Sequence, residues 1–253
     1  CFTLVYLHAK LRVFANPFTK VTAILDSWRE ILSIGLPAAL TYAIVPISNA
    51  IVVWMVADYG LDAIAGFGIA MRIEPLALLV FYSLSAVTSP FVGMNFGAQQ
   101  FDRLLESRQV IAKFCVIFGL VLATGLVFAA YPLAGLFTES ESIQSTAVRY
   151  LWLVAISYGA HGLIMSTNSA FNGLGMPLPA VVLSGLRVIL VFLPLAFVGR
   201  WLFDLQGIFG ASALSNIAVG AIAYYWIGHR IRWLTNNKAE AIAIAEPAGS
   251  AEQ

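Results

Sequence analysis

Six stretches of this chain are each about 20 or more residues long and almost free of charge: roughly Ile31 to Val56, Ile64 to Val92, Phe114 to Phe137, Val148 to Phe171, Pro179 to Val198 and Ile208 to Ile227. At about 1.5 Å of rise per residue, each run is long enough to cross a hydrocarbon core about 30 Å thick as an α-helix. Only helices and closed barrels satisfy their backbone polar groups in lipid, and uninterrupted apolar runs of this length read as helices. The expected fold is all-α, a polytopic membrane protein built as a six-transmembrane-helix lobe. Composition agrees: 60% of residues are hydrophobic, 11% are charged, and the mean hydropathy of +0.86 exceeds what a soluble chain of 253 residues needs to fill a core.

Turn or polar signals bound the runs, among them "ADYGLD", "NFGAQQFDR", "TESESIQS", "NGLGMPLP", "GRWLFDLQG" and "GHRIRW". Lysines and arginines set the orientation, because cytoplasmic loops hold them preferentially. Ten fall on one side (Lys10, Arg12, Lys20, Arg29, Arg103, Arg108, Lys113, Arg230, Arg232 and Lys238) against two, Arg149 and Arg200, on the other. Both ends are therefore expected in the cytoplasm, and the protein in a cell inner (plasma) membrane. Trp54, Tyr59, Tyr131, Tyr150, Trp152 and Trp201 fall near outer span ends, and Trp28, Tyr225, Trp226 and Trp233 near inner ones, as aromatic belts require.

The chain starts at Cys1 and "CFTLVYLHAK" reads as the end of an apolar helix, so a piece of a longer protein is expected. The expected organisation is the end of a preceding transmembrane helix at 1–8, a cytoplasmic linker with a short interfacial helix at 9–30, the six-helix lobe at 31–232 and a disordered tail at 233–253. Asp26 or Ser27 is the candidate N-cap of the interfacial helix. A net charge of +1 with no basic run sets nucleic acid aside. Cys1 and Cys115 match no metal or disulfide spacing, and no Walker loop, HExxH, GxSxG or CxxC is present. No enzyme activity, metal or cofactor is expected.

Three charges lie inside the spans: Arg72, Glu74 and Arg187. Each costs roughly 2.5 to 3.5 kcal/mol at mid-membrane, so each needs a partner or water. Arg72 and Glu74 are about 200° apart around a helix and cannot share a face. Glu74 lies roughly 12 to 15 Å below the outer surface and Arg187 roughly 12 to 14 Å above the inner one, which brings them to similar heights and makes Arg187 the better-placed partner. Pro75 removes a backbone donor and disfavours helical geometry at Glu74, which predicts a kink with free carbonyls beside the carboxylate. Two roles stand open: a buried pair that fixes helix register while Arg72 snorkels outward, or a carboxylate that takes up a proton or cation and shifts local packing.

Softer polar signals surround this pair. Ser48 and Asn49 follow Pro46; Tyr158, His161, Ser166, Thr167, Asn168 and Asn172 crowd the fourth span; Ser215 and Asn216 lie in the sixth. Interhelical hydrogen bonding explains any one of them. His161 and Asn168, seven residues apart, share a face suited to a wet cleft. Asn49, Tyr158, His161, Asn168, Asn172 and Met71 are the candidate cleft-lining residues. Gly93 and Gly97 form a GxxxG that permits close helix approach.

"GMNFGAQQFDRL" at 93–104, the preceding "AIAGFGIAMRIE" and "NGLGMPLPA" at 172–180 resemble the C-terminal half of multidrug and toxic compound extrusion (MATE) transporters. The resemblance implies helices seven to twelve of a twelve-helix, two-lobe antiporter that exports organic cations or amphipathic drugs in exchange for H⁺ or Na⁺. Its partners would be small organic substrates, the bilayer and an N-terminal six-helix lobe. One family branch has acids in the first and fourth spans of this lobe. "GLPAALTYAIVPIS" and "AISYGAHGLIMSTNSAFNG" have neither, so the pattern looks nearer the DNA-damage-inducible branch, in which an important acid lies in the N-terminal lobe; by that resemblance Glu74, the candidate ion-responsive carboxylate with Arg187, is either a secondary coupling site or the structural partner of Arg187. A lipid-linked oligosaccharide flippase of the same superfamily is the rival, and needs more basic residues than Arg72 and Arg187 supply. An intramembrane enzyme would need converging catalytic groups that the sequence lacks.

Overall fold

The apolar runs form long helices, some of them interrupted. The computed structural model describes residues 21–237, so the expected stub at 1–8, much of the linker and the tail beyond 237 lie outside the described residues. Among the described residues the secondary structure is helical throughout, with no strand. Cys1–Pro37 and Ala38–Gln253 form two compact units. The first contributes the start of α1 (Val21–Ala57), and its Leu25, Trp28, Ile31, Leu32 and Leu36 are exposed. Asp26 and Ser27, the candidate caps, lie inside α1.

In the second unit the end of α1 is followed by five further rods. The second rod is α2 (Leu61–Ala77) and α3 (Leu79–Gly97), jointed at Leu78; the third is α4 (Phe101–Gly135). The fourth is α5 (Glu141–Ala155) and α6 (Tyr158–Gly173), jointed at Ile156–Ser157. The last two rods are formed by α7 (Pro177–Gly185), a π-helical segment (Leu186–Phe192) and α8 (Leu193–Asn236), which reverses direction at Phe203 (φ −136°, ψ 18°) and Asp204 (φ 51°, ψ −135°). The stretches Leu79–Gly97, Phe101–Gly135 and Pro177–Asn236 are each long and apolar enough to cross a membrane. The fourth rod reaches that length only as a pair, since α5 has 15 residues and α6 has 16. At 35 residues α4 is about 52 Å long. Its first turns, with Asp102, Arg103, Glu106, Arg108 and Lys113, therefore project beyond the hydrocarbon.

Lipid tails are as apolar as leucine, so these rods associate through close packing rather than through burial from water. Small residues make that possible. Gly119 of α4 meets Gly159 of α6 backbone to backbone, and a Cβ on Gly173 would strike the Ser89 carbonyl. Of the GxxxG pair, Gly93 approaches the Gly173 carbonyl, whereas Gly97 has open space around it.

Two apolar cores result. One gathers Met55, Phe67, Phe81, Leu151, Tyr158 and Phe209; the other gathers Val92, Leu104, Phe171, Leu183, Val219 and Ile231. Along α6 the boundary falls between Tyr158 and Ile164, and along α8 between Ala211 and Val219. His161 and Asn216 lie at that boundary, and so does the site.

Candidate functional site

Every interruption in the rods of the second unit, apart from the reversal at Phe203 and Asp204, lies beside one cavity of about 190 Å³. Its wall includes Ser48 and Asn49 of α1, Met71, Glu74 and Pro75 of α2, Leu78 and Tyr82 at the following joint, Tyr150 of α5, His161 of α6, Arg187 of the π segment and Asn216 of α8. Residues distant in sequence reach one point because the backbone there is not straight.

Pro75 does not break α2 at Glu74, as its sequence position suggests. The helix continues to Ala77, and the Glu74 carbonyl accepts a hydrogen bond from the Leu78 amide at 2.9 Å. The carbonyl deprived of its i+4 donor is that of Met71, one turn earlier.

The Glu74 carboxylate accepts a hydrogen bond from the Tyr150 hydroxyl at 2.8 Å. Tyr150 is only 6% exposed, which removes it from the outer aromatic belt where its place in the sequence had put it. Its ring lies edge-on to Phe67 (5.2 Å between centroids) and to Phe209 (5.1 Å). Those contacts fix where its hydroxyl points. A hydroxyl donating to a carboxylate makes a charge-assisted bond, shorter and stronger than a neutral one.

The direct Glu74–Arg187 ion pair expected from depth does not form. Among the described residues the ion pair is Arg200–Asp58, at 2.7 Å. The two groups share the cavity and act on each other through space, but each has neutral partners. Arg187 Nη1 donates to the Asn216 carbonyl oxygen at 3.0 Å and lies 3.2 Å from His161 Nδ1. A guanidinium only donates, so Nδ1 accepts and the neutral imidazole holds its proton on Nε2. His161 Nδ1 and Asn216 Oδ1, 3.4 Å apart, then converge as two acceptors on one donor. The chain continues in one direction: Asn216 Nδ2 donates to Ser157 Oγ at 3.0 Å, and Ser157 Oγ to the Val154 carbonyl at 2.7 Å. Ser157 is fully buried at the joint between α5 and α6, so the arginine's network is anchored to a break in a helix.

Of the residues singled out in the sequence, Asn49, Met71, Glu74, His161 and Arg187 meet at the cavity. Asn168 stands apart and donates to Ser184 Oγ at 3.1 Å. Tyr158 is fully buried, with no partner for its hydroxyl; Asn172 likewise has a buried carbonyl oxygen without one. Arg72 is exposed. Tyr150 and Tyr82 were missed as site residues. A signal for Tyr150 existed in its spacing, since Tyr150, Val154, Ser157 and His161 recur at four, three and four residues. Among the described residues no cluster of His, Cys, Asp and Glu is arranged to hold a metal.

A model of the MatE family matches residues 37–198. The FAD transporter of Shewanella oneidensis is 32% identical over 205 residues, covering 81% of this chain and 45% of that protein. The multidrug export protein MepA of Staphylococcus saprophyticus is 25% identical over 243 residues, 95% of this chain and 53% of that protein. The Vibrio cholerae MATE transporter VcmN, in the bent form, superimposes with a TM-score of 0.78 at 26% identity, over 85% of this chain and 48% of that one. This chain thus spans about half the length of the relatives it matches.

Proposed function

The chain belongs to the MatE family of membrane transporters, and on that premise we propose that it is one lobe of a secondary antiporter whose Glu74 cavity couples efflux to an inward flow of H⁺ or Na⁺. The substrates are organic cations or amphipathic drugs, and the complementary surface is an N-terminal six-helix lobe. It works in a prokaryotic inner membrane with the basic ends facing the cytoplasm, a placement supported by the ten-to-two division of loop charges.

The observation that carries this reading is the bond between Glu74 and Tyr150 in place of an ion pair with Arg187. A carboxylate locked to arginine has little to gain from a proton. One held by a phenol, on an open cavity with a guanidinium in electrostatic range, changes the charge of the site when it takes up a cation. The Glu74 helix carries its joint at Leu78, so that change acts where the rod bends.

Glu74→Gln in the complete transporter, reconstituted in vesicles, is expected to lower gradient-driven drug efflux by about tenfold or more while leaving substrate binding within about threefold, as removal of a coupling group rather than a binding group requires. Coupled efflux at the unsubstituted rate overturns the assignment.

A second reading concerns the substrate. Similarity to an FAD transporter, together with Arg187 held only by neutral partners, supports an anionic flavin dinucleotide as the alternative substrate. Competition between FAD and a cationic dye for uptake into inverted vesicles separates the two. Since members of the family are transporters, the intramembrane enzyme is set aside.

A further inference from the structure

We infer that a polar lane runs along α6 from the Glu74 cavity to the end of the fold that holds the 98–100 and 174–176 turns, and that water and the small cations it carries move through it. The direction and purpose of that movement rest on the antiporter reading; the lane itself does not.

The floor of the lane is one face of α6. His161, Met165, Asn168, Ser169 and Asn172 are partly exposed and recur at helical spacing, whereas Gly162, Ile164, Ser166, Thr167, Ala170 and Phe171 are buried. His161 opens onto the cavity, and Asn172 is one residue from the end of α6. On one side the floor is joined to α3: Ser85 Oγ lies 2.8 Å from Ser169 Oγ and donates to the Met165 carbonyl at 3.2 Å. Four residues further along α3, the Ser89 carbonyl sits against Gly173. On the other side Asn168 Nδ2 donates to Ser184 Oγ, and one turn beyond Ser184 on that rod is Arg187, bonded to His161. Histidine, asparagine and serine thus recur along this face of α6 from the cavity downward, with Met165 among them and, among the described residues, no carboxylate or ammonium group in between.

Two of these groups are incompletely bonded. Asn168 Oδ1 and Asn172 Oδ1 are both buried and no protein donor reaches either. Exchanging O and N in the Asn168 amide only moves the problem, because Ser184 satisfies one end and leaves the other unpaired. Hydrocarbon offers no donor, and two buried acceptors one turn apart call for water or a small cation. Neutral acceptors suit transit. They solvate a passing ion without holding it as a fixed charge would. The lane therefore serves the coupling ion and not the drug, whose apolar bulk belongs with Phe67 and Met71 at the cavity.

Substituted cysteines test this in the complete transporter in vesicles, with Cys1→Ser and Cys115→Ala as background. Asn168→Cys, Asn172→Cys, Ser85→Cys and Ser89→Cys are treated with a small charged thiol reagent on one membrane face or the other. The expected result is labelling from the face that carries the 98–100 turn, about tenfold or more faster than Ile164→Cys on the buried side of the same helix, since reaction requires an aqueous thiolate. Labelling no faster than Ile164→Cys, or equally fast from both faces, overturns the lane. The serine variants keep the test decisive if an asparagine variant does not fold. Loss of coupling in Glu74→Gln tests the antiporter reading separately, so labelling with no Glu74 effect retains the lane and discards the coupling role.

Discussion

At the scale of single residues, the site is defined by what each charge is denied. Arg187 has Asn216 and His161 where a carboxylate was expected, and Glu74 has a phenol. Asn216 is the critical neutral group, because it accepts from Arg187 and donates to Ser157. Asn216→Ala leaves a guanidinium without its shortest bond and is expected to destabilise the protein by about 1 to 3 kcal/mol, as removing the acceptor of a buried charged donor does. Asn216→Asp supplies a counter-charge and is expected to retain the thermal unfolding midpoint in detergent. Equal midpoints for the alanine variant and the unsubstituted protein would refute this account. The charged residues were legible in the sequence because a glutamate or arginine inside an apolar run is costly and conspicuous. Their partners were not. Tyr150 sits near a span end, where tyrosine is ordinary, and nothing local reveals that Phe67 and Phe209 turn it inward.

Among the elements, the joints matter more than the helices. Pro75 announced one, though the helix runs on to Ala77 and the joint falls at Leu78, whose amide bonds the Glu74 carbonyl. Pro75→Ala returns a donor to the Met71 carbonyl. A gain in stability of up to about 3 kcal/mol is expected, together with slower efflux, as a bend point is stiffened. Efflux at the unsubstituted rate in a stabilised variant would show that bending at this joint is not used. The joint at Ile156–Ser157 had no glycine or proline to mark it. Its cause is a hydroxyl competing with backbone, Ser157 Oγ bonding the Val154 carbonyl three residues back. The π segment Leu186–Phe192 is equally silent in sequence, since "LRVILVF" reads as ordinary helix and only the need to house Arg187 marks the place.

For the whole molecule, length and hydropathy were sufficient: a run of about 20 apolar residues has few folded forms in lipid, and the rods follow the predicted order. Orientation is the whole-molecule property that charge predicts. Ser140→Cys, on the face with few basic residues, is expected to react with an impermeant thiol reagent added to intact cells, and Gln100→Cys only after the cells are opened. The reverse pattern would invert the topology. The division into two apolar cores with a polar seam between them has a mechanical consequence. A rod that pivots at the seam can swing its lower half while the upper half keeps its neighbours, so the lobe has a waist at which to flex, and that waist is where its buried charges sit.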